Sequence, residues 1–509
     1  MGCWRWQLGL WIALGLGLRL IGLEEKPPWA DEWATLVFSL GHSFQTIPLD
    51  RPISGAMLLQ PVQLDPTVGP REVVGNLFRE STHPPLYFLL AHGWLKLVSG
   101  ENTLVSLGLA RLLSALLGVA AIPAMYGLGY LSFGTRLAGH LAAALMAVSP
   151  YGIYLAQEAR HYTLAILGII ASLACAIAAV KRYQSRQLPP IWLIFVWIGA
   201  NTLGMASHYF LALTIAAQGL AFLPWWWRDR PWSRKPIFPG FWGRLAGVGL
   251  GTALGSAIWL VDWYGIPGDR LTSWINHGEV WGWDFLSPLL RLAGWLVTMV
   301  FLLPFENVPL LVAILSGILL VGLLVWFVPK LWRFWRQLLN DPLVQWETRF
   351  LSRFVVSSWG LILGFTYLAD IDLTLAARYQ FVYFPAVLAI AAGILAQAWQ
   401  TGVKPDKPSR WSPQFGKRFV VVTLVAGLMG SLAVAAHLAY QKSDRPDLVV
   451  AAIERQSEEA VPILVATVHK THEQTGEMLG LAWEWRNNPQ RLAQTQFCWL
   501  TNPAKRGNL

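Results

Sequence analysis

The chain reads as an all-α polytopic membrane protein of about eleven transmembrane helices, with a small C-terminal α/β tail outside the bilayer. Three observations carry that expectation. Of 509 residues, 55% are hydrophobic and 13% charged, where an ordinary soluble domain has roughly 25% charged. The apolar residues come in runs of about 17–25, long enough to cross roughly 30 Å of hydrocarbon. The 29 Trp suit a bilayer, because indole rings favour the headgroup region.

The spanning runs are 7–23, 104–132, 137–150, 162–180, 191–206, 208–224, 243–262, 309–328, 354–370, 379–398 and 419–439. The first carries Arg5 on its flank and Arg19 inside, and "EEKPPWADEW" follows it rather than a small-residue cleavage site. It therefore reads as a retained helix and not a signal peptide. Length leaves 84–98 and 286–303 undecided, so charge decides. With the N-terminus inside and both left out, every basic connector falls on the cytoplasmic side: "GTR" (134–136), "KRYQSRQ" (181–187), "WWWRDRPWSRK" (225–235), "PKLWRFWRQ" (329–337) with Arg349 and Arg353, and "KPDKPSRWSPQFGKR" (404–418). The two omitted runs are then amphipathic helices along the outer interface. The same distribution accounts for the formal charge of +10 without nucleic acid, which is not expected as a partner. Cys3, Cys175 and Cys498 are scattered and form no disulfide or metal pattern.

Two units follow: a transmembrane domain over 1–439, whose first outer loop runs about 24–103, and an extracytoplasmic tail over 440–509. In the tail "DLVVAAIERQ" predicts a helix and "VPILVATV" a buried strand.

This layout gathers the unusual polar residues on the outer face. Asp31 and Glu32 follow the first helix in "PPWADEWATL", between Trp29 and Trp33. Carboxylates at the hydrocarbon boundary are costly unless hydrated, paired or used, and one there can act as a general base on an acceptor hydroxyl or amine. The plain reading is a pair of solvated loop acids. His83 stands in "STHPPLYFLLAHGWLKL", where the two prolines set up a helix start. As structure it is incidental; as chemistry it would lie beside the acids. "YLAQEARHYTLA" gathers Gln157, Glu158, Arg160, His161 and Tyr162 between two apolar helices. An arginine fork suits phosphate oxygens, whereas an internal Glu158–Arg160 pair would merely tidy a helix end. "LAARYQFVYFPA" opens a helix with Arg378 and Tyr379 from the outer side, against the positive-inside preference, which suggests a lipid phosphate as partner. His208 with Tyr209 is a weaker signal of the same kind.

These stretches, in this order, resemble bacterial membrane glycosyltransferases of the GT-C fold, in the protein mannosyltransferase, aminoarabinose transferase and Rgt-like group. The resemblance covers residues 1 to about 400 and the tail poorly. It implies an enzyme of the inner membrane, active on the outer face, that moves a sugar from a polyprenyl-phosphate donor to a lipid, glycan or protein acceptor with inversion. The family's first-loop acid carries over to Asp31 as base, with Glu32 as neighbour or substitute. Arg160 and Arg378 would hold the phosphate leaving group, with His83, Gln157, Glu158, Tyr162 and Tyr379 as further substrate contacts. On this reading Asp31 faces the acceptor and donor binding survives its loss. Some relatives use a divalent metal, which stays open here, but carboxylates beyond Asp31, Glu32 and Glu158 are too sparse to predict one, and no cofactor is predicted. The rival reading is a transporter or flippase of lipid-linked sugars without catalysis. Transporters often show repeated halves with broken helices, and the sequence shows no repeat.

Overall fold

The computed structural model describes residues 3–100, 103–229, 238–260, 275, 282–400, 413–458 and 461–501. Most of the first half of the outer stretch 263–308, and parts of the connectors 225–235 and 404–418, lie outside these residues.

Each of the eleven apolar runs is a helix: α1 (Cys3–Leu20), α5 (Leu107–Phe133), α6 (Arg136–Ala147) continued by α7 (Pro150–Ala156), α8 (Tyr162–Gln184), α9 (Ile191–Ser207), α10 (Leu211–Arg228), α11 (Pro239–Leu260), α13 (Leu310–Asn340), α14 (Gln345–Leu368), α15 (Phe384–Gln400) and α16 (Pro413–Ala435). On length and apolarity alone five of these qualify as spans, and the bent α6–α7 pair makes a sixth. α13 shows its lipid face openly, with Leu310 at 76%, Leu311 at 67% and Ile318 at 64% exposed.

The α6–α7 break leaves carbonyls without helical partners, which hydrocarbon does not forgive. Arg19 of α1 supplies the donors. It is buried, and its guanidinium donates to the carbonyls of Met146 (3.1 Å) and Ala147 (3.5 Å). An arginine inside the first helix is therefore explained by the bend it serves.

The two runs left out of the count both stay on one face. α4 (Leu86–Val98) has 13 residues and α12 (Ser287–Thr298) has 12, or about 20 and 18 Å, short of a bilayer core. Before α12, the carbonyl of Phe285 accepts from the Tyr367 hydroxyl near the end of α14 (2.5 Å). After it, the Glu306 amide donates to the carbonyl of Leu438, beyond the end of α16 (3.1 Å). Both ends of that segment thus lie at the same surface. Between them it dips into the bundle, where Met299, Phe301 and Leu302 are buried and the Met299 carbonyl accepts from Ser149 (2.7 Å). The expectation of a helix merely lying along the interface needs that correction.

A second, smaller core sits on this face. It joins α2 (Ala30–Ser39), α3 (Pro70–Glu80) and α4 of the first loop to α17 (Pro446–Gln456) and α18 (His472–Glu484) of the tail. A three-stranded sheet in the order β1 (Ile53–Ser54), β3 (Thr495–Leu500), β2 (Ile463–Val468) crosses the same division, with β1 antiparallel and β2 parallel to β3. β2 is the strand expected from "VPILVATV", but it is an edge strand whose side chains alternate between half-buried and exposed. One of its faces meets water, which the apolar run did not suggest.

At the opposite end of the bundle, the last turn of α8 meets α10 and α14. Lys181 pairs with Glu347 (3.8 Å), and Arg353 lies over Trp225 (5.0 Å). The 23 residues of α8 span about 35 Å, so the basic connector after it is a bilayer's width from the cap. Cysteines introduced at Asp284, Asn307 and Ser443 are expected to react with an impermeant reagent from one side of the membrane, and a cysteine at Ser185 from the other. Labelling of positions 284 and 307 from opposite sides would show that the α12 segment crosses after all.

Candidate active site

The site is built on the first turn of α2. No side chain of the preceding residue caps this helix; instead the Asp444 carboxylate, from the segment joining α16 to the tail, accepts from the Ala30 amide at 2.9 Å. A negative charge at a helix N-terminus is favourable. Close packing then fixes the helix laterally. A Cβ on Gly476 of α18 would sit 3.1 Å from the Ala30 Cα, tighter than most such contacts, so a larger residue there would push the two helices slightly apart.

The adjacent acids have opposite fates. Glu32 is fully buried. Its Oε1 accepts from Arg111 Nε (2.8 Å) and from the Ala159 amide (2.9 Å), and its Oε2 accepts from Arg111 Nη2 (2.8 Å). Arg111, on α5, also donates to the carbonyls of Leu23 (2.8 Å) and Lys26 (2.9 Å). Burial would raise the Glu32 carboxyl, but Arg111 and its hydrogen bonds hold it below the usual range. Glu32 is thus a clamp with no open oxygen face, and its expected place as neighbouring or substitute base is corrected on that ground.

Asp31 points the other way and keeps 36% of its side chain exposed. Its Oδ2 lies 3.4 Å from Arg160 Nη2 and 3.6 Å from Arg378 Nη2. Burial would raise this carboxyl too, but Arg160 and Arg378 outweigh it and keep it ionised. The two arginines singled out for a phosphate are therefore brought together, and they meet on the acid proposed as base.

Both arginines have anchors besides that carboxylate. Arg160 Nη1 donates to the Asp31 carbonyl (2.8 Å) and to Thr35 Oγ1 (2.9 Å), and its own carbonyl accepts from Ser114 of α5 (2.9 Å). Its Nη2 reaches the Tyr162 hydroxyl (3.4 Å) and His83 Nε2 (3.5 Å). Arg378 lies over the rings of Trp29 (4.8 Å) and Tyr379 (5.4 Å). His83 stands beside the acids, as expected. Its Nδ1 contacts Ser81 Oγ (2.9 Å), and burial pushes its imidazole down to about 3, so it is neutral. His161 and His208 continue the row of imidazoles away from it, with ring centroids 5.1 and 4.6 Å apart in turn.

Gln157 and Glu158 take other parts. Gln157 is buried, donates to the carbonyls of Leu18, Arg19 and Ile21 at the end of α1, and accepts from Lys26 (2.7 Å). It caps a helix and does not face the site. Glu158 is buried against Lys442, which follows α16. That ammonium lies 5.1 Å from the Trp29 ring, on which Arg378 also rests, and burial drives its pKa well below the usual lysine value.

The sequence reading missed Arg111, Lys442 and Asp444. Arg111 had a signal of its own, a cation inside an apolar helix, which membranes tolerate only with a partner. Lys442 and Asp444 had none, because the return of the tail over α2 is a tertiary event. Among the described residues no three His, Cys, Asp or Glu side chains converge as a metal-ligand set, and Glu32 and Glu158 are each taken up by a basic side chain, Arg111 and Lys442.

No protein-family model matches the chain, and neither does any curated protein. Solved structures do. ArnT from Cupriavidus metallidurans bound to undecaprenyl phosphate superposes with a TM-score of 0.52 at 14% identity, covering 97% of this chain and 90% of that one. The fold is the GT-C fold. The apo state of the same protein gives 0.50 at 13% identity, over 95% and 88% of the two chains. An oligosaccharyltransferase from Archaeoglobus fulgidus covers 98% of this chain and 64% of its own at 13% identity, but at a TM-score of 0.47 it is too distant to argue from. In this GT-C bundle Asp31, His83, Arg160 and Arg378 lie where helix ends and loops meet the cap.

The geometry separates the two acids experimentally. Glu32→Gln and Arg111→Met each strand a buried partner, which typically costs about 3–5 kcal/mol. Both are expected to lower the thermal midpoint of purified protein markedly, whereas Asp31→Asn, at a half-exposed carboxylate whose arginines keep other anchors, lowers it less. Equal midpoints for all three would contradict the clamp.

Proposed function

We propose that this chain is a glycosyltransferase that takes a sugar from a polyprenyl-phosphate donor, with Asp31 as general base and with Arg160 and Arg378 on the donor phosphate. The observation that carries the reading is the convergence of two anchored guanidiniums on one half-exposed carboxylate at the boundary between bundle and cap. The GT-C fold, and the undecaprenyl phosphate bound by ArnT, support the choice of ligand.

The chemistry follows from the charges. The acceptor's hydroxyl or amine attacks the anomeric carbon as its proton passes to Asp31. The new acceptor–carbon bond forms on one face while the bond from carbon to phosphate oxygen breaks on the other, which inverts the centre. The bonding pair leaves with the phosphate, whose growing negative charge meets Arg160 and Arg378 already in place; such preorganised charge is usually the largest single contribution to a rate. His83, held neutral, and Tyr162 orient Arg160. Tyr379 supports Arg378. The one-sided basic connectors favour the outer face of a bacterial inner membrane as the place of reaction, with a lipid, glycan or protein as acceptor.

Asp31→Asn keeps the shape and removes the base. Transfer to the acceptor is expected to fall about 10²–10⁴-fold, the usual worth of a general base. Arg160→Lys and Arg378→Lys replace a planar fork by a point charge and are each expected to impair turnover of a labelled polyprenyl-phosphate sugar. Near-normal transfer by Asp31→Asn, or by both lysine variants, would remove the assignment.

A further inference from the structure

We propose that Asp31 is the resident counter-ion of the donor-phosphate site, so that an arriving phosphate displaces it from Arg160 and Arg378 and frees it for the acceptor. The proposal rests on the functional reading above and adds the order of events. A carboxylate that merely faced the acceptor would leave donor binding alone. Here the same oxygen, Asp31 Oδ2, is the point where both arginines meet. A phosphate and Asp31 therefore compete for one pair of cations.

The competition has a definite charge balance. Before transfer the arginines face an ionised Asp31 and a phosphodiester, each with one negative charge. After transfer the acceptor's proton sits on Asp31, and the released polyprenyl phosphate carries close to two negative charges at neutral pH. The anionic charge facing the pair is thus the same on both sides of the reaction. What changes is its location, which moves wholly onto the product. When Asp31 gives its proton to solvent through its exposed face, the carboxylate returns as competitor and helps to expel the product. Asp31 so serves three moments of one cycle: counter-ion, base and ejector.

The arginines hold their positions without the Asp31 charge. Arg160 is tied to the Asp31 backbone carbonyl and Thr35, and Arg378 rests on Trp29 and Tyr379. Removing the carboxylate therefore leaves the cation pair in place and unbalanced. His83, Lys442, His472 and Glu473 also bear on Asp31 electrostatically. None of their side chains replaces its contact with both arginines.

The test is equilibrium binding of labelled undecaprenyl phosphate to the full chain in nanodiscs at one neutral pH. Asp31→Asn is expected to bind it more tightly than the wild type, by roughly the 5–150-fold typical of coupled ligands. Asp31→Glu, which keeps the charge, is expected to stay close to wild type, and Arg378→Lys to bind more weakly. Where Asp31→Asn does not yield folded protein, Asp31→Ser takes its place with the same expected sign. Equal or weaker binding by the uncharged variants, with weaker binding by Arg378→Lys, would overturn the counter-ion role and leave the functional reading standing. No binding by the wild type would overturn both.

Discussion

The buried pair between Glu32 and Arg111 is the interaction on which the site depends. It ties together three parts of the chain that are distant in sequence: the start of α2, the start of α5 and the break between α7 and α8. Two of the residues it joins, Glu32 and Ala159, are each one residue away from a candidate functional group. Glu32 precedes nothing chemical but follows Asp31, and Ala159, whose amide it accepts, precedes Arg160. Fixing the clamp therefore fixes the proposed base, Asp31, and one of the arginines proposed for the phosphate, Arg160, at once. A buried ion pair is weak evidence for net stability, because desolvation offsets much of its attraction. Its value here is registry, in a place where lipid and water meet and packing alone would allow the helix to slide.

The cap gives the same site its second support. Asp444 caps α2, Gly476 lets α18 lie close against it, and Lys442 packs on Glu158 beneath it. All three come from beyond α16, so residues of the tail help to build a site whose proposed base comes from the first loop. The sheet repeats the arrangement, since β1 of the loop completes β3 of the tail. A tail truncated after α16 would leave the N-terminus of α2 without its acceptor.

The bundle was legible because the bilayer imposes a simple rule, that a span must be long and apolar. All eleven runs are helices, and the end of α8 that carries the basic connector lies away from the cap. Asp31, His83, Arg160, Arg378, Tyr162 and Tyr379 could be gathered on one face because each stands beside or at the edge of an apolar run, where lipid penalises a polar group. What could not be read was how they divide the work. Asp31 and Glu32 are neighbours with the same chemistry, and only the fold turns one into Arg111 and the other towards open space. Gln157 and Glu158 looked like site residues for the same reason, polarity at a helix break. They satisfy helix-end carbonyls and a buried lysine, needs that exist only once α1 and the tail have packed. The half-exposed strand β2 was hidden too, because an apolar run does not say whether its second face will be covered.

The central claim is that the chain cleaves a polyprenyl-phosphate sugar and does not merely move it. The direct measurement is incubation of purified protein, reconstituted in liposomes, with polyprenyl-phosphate sugars labelled in both the sugar and the lipid, in the presence of an envelope extract as acceptor. The account predicts protein-dependent release of free polyprenyl phosphate, matched one for one by sugar on the acceptor. Intact donor redistributed between the two leaflets, with no released polyprenyl phosphate, would contradict it.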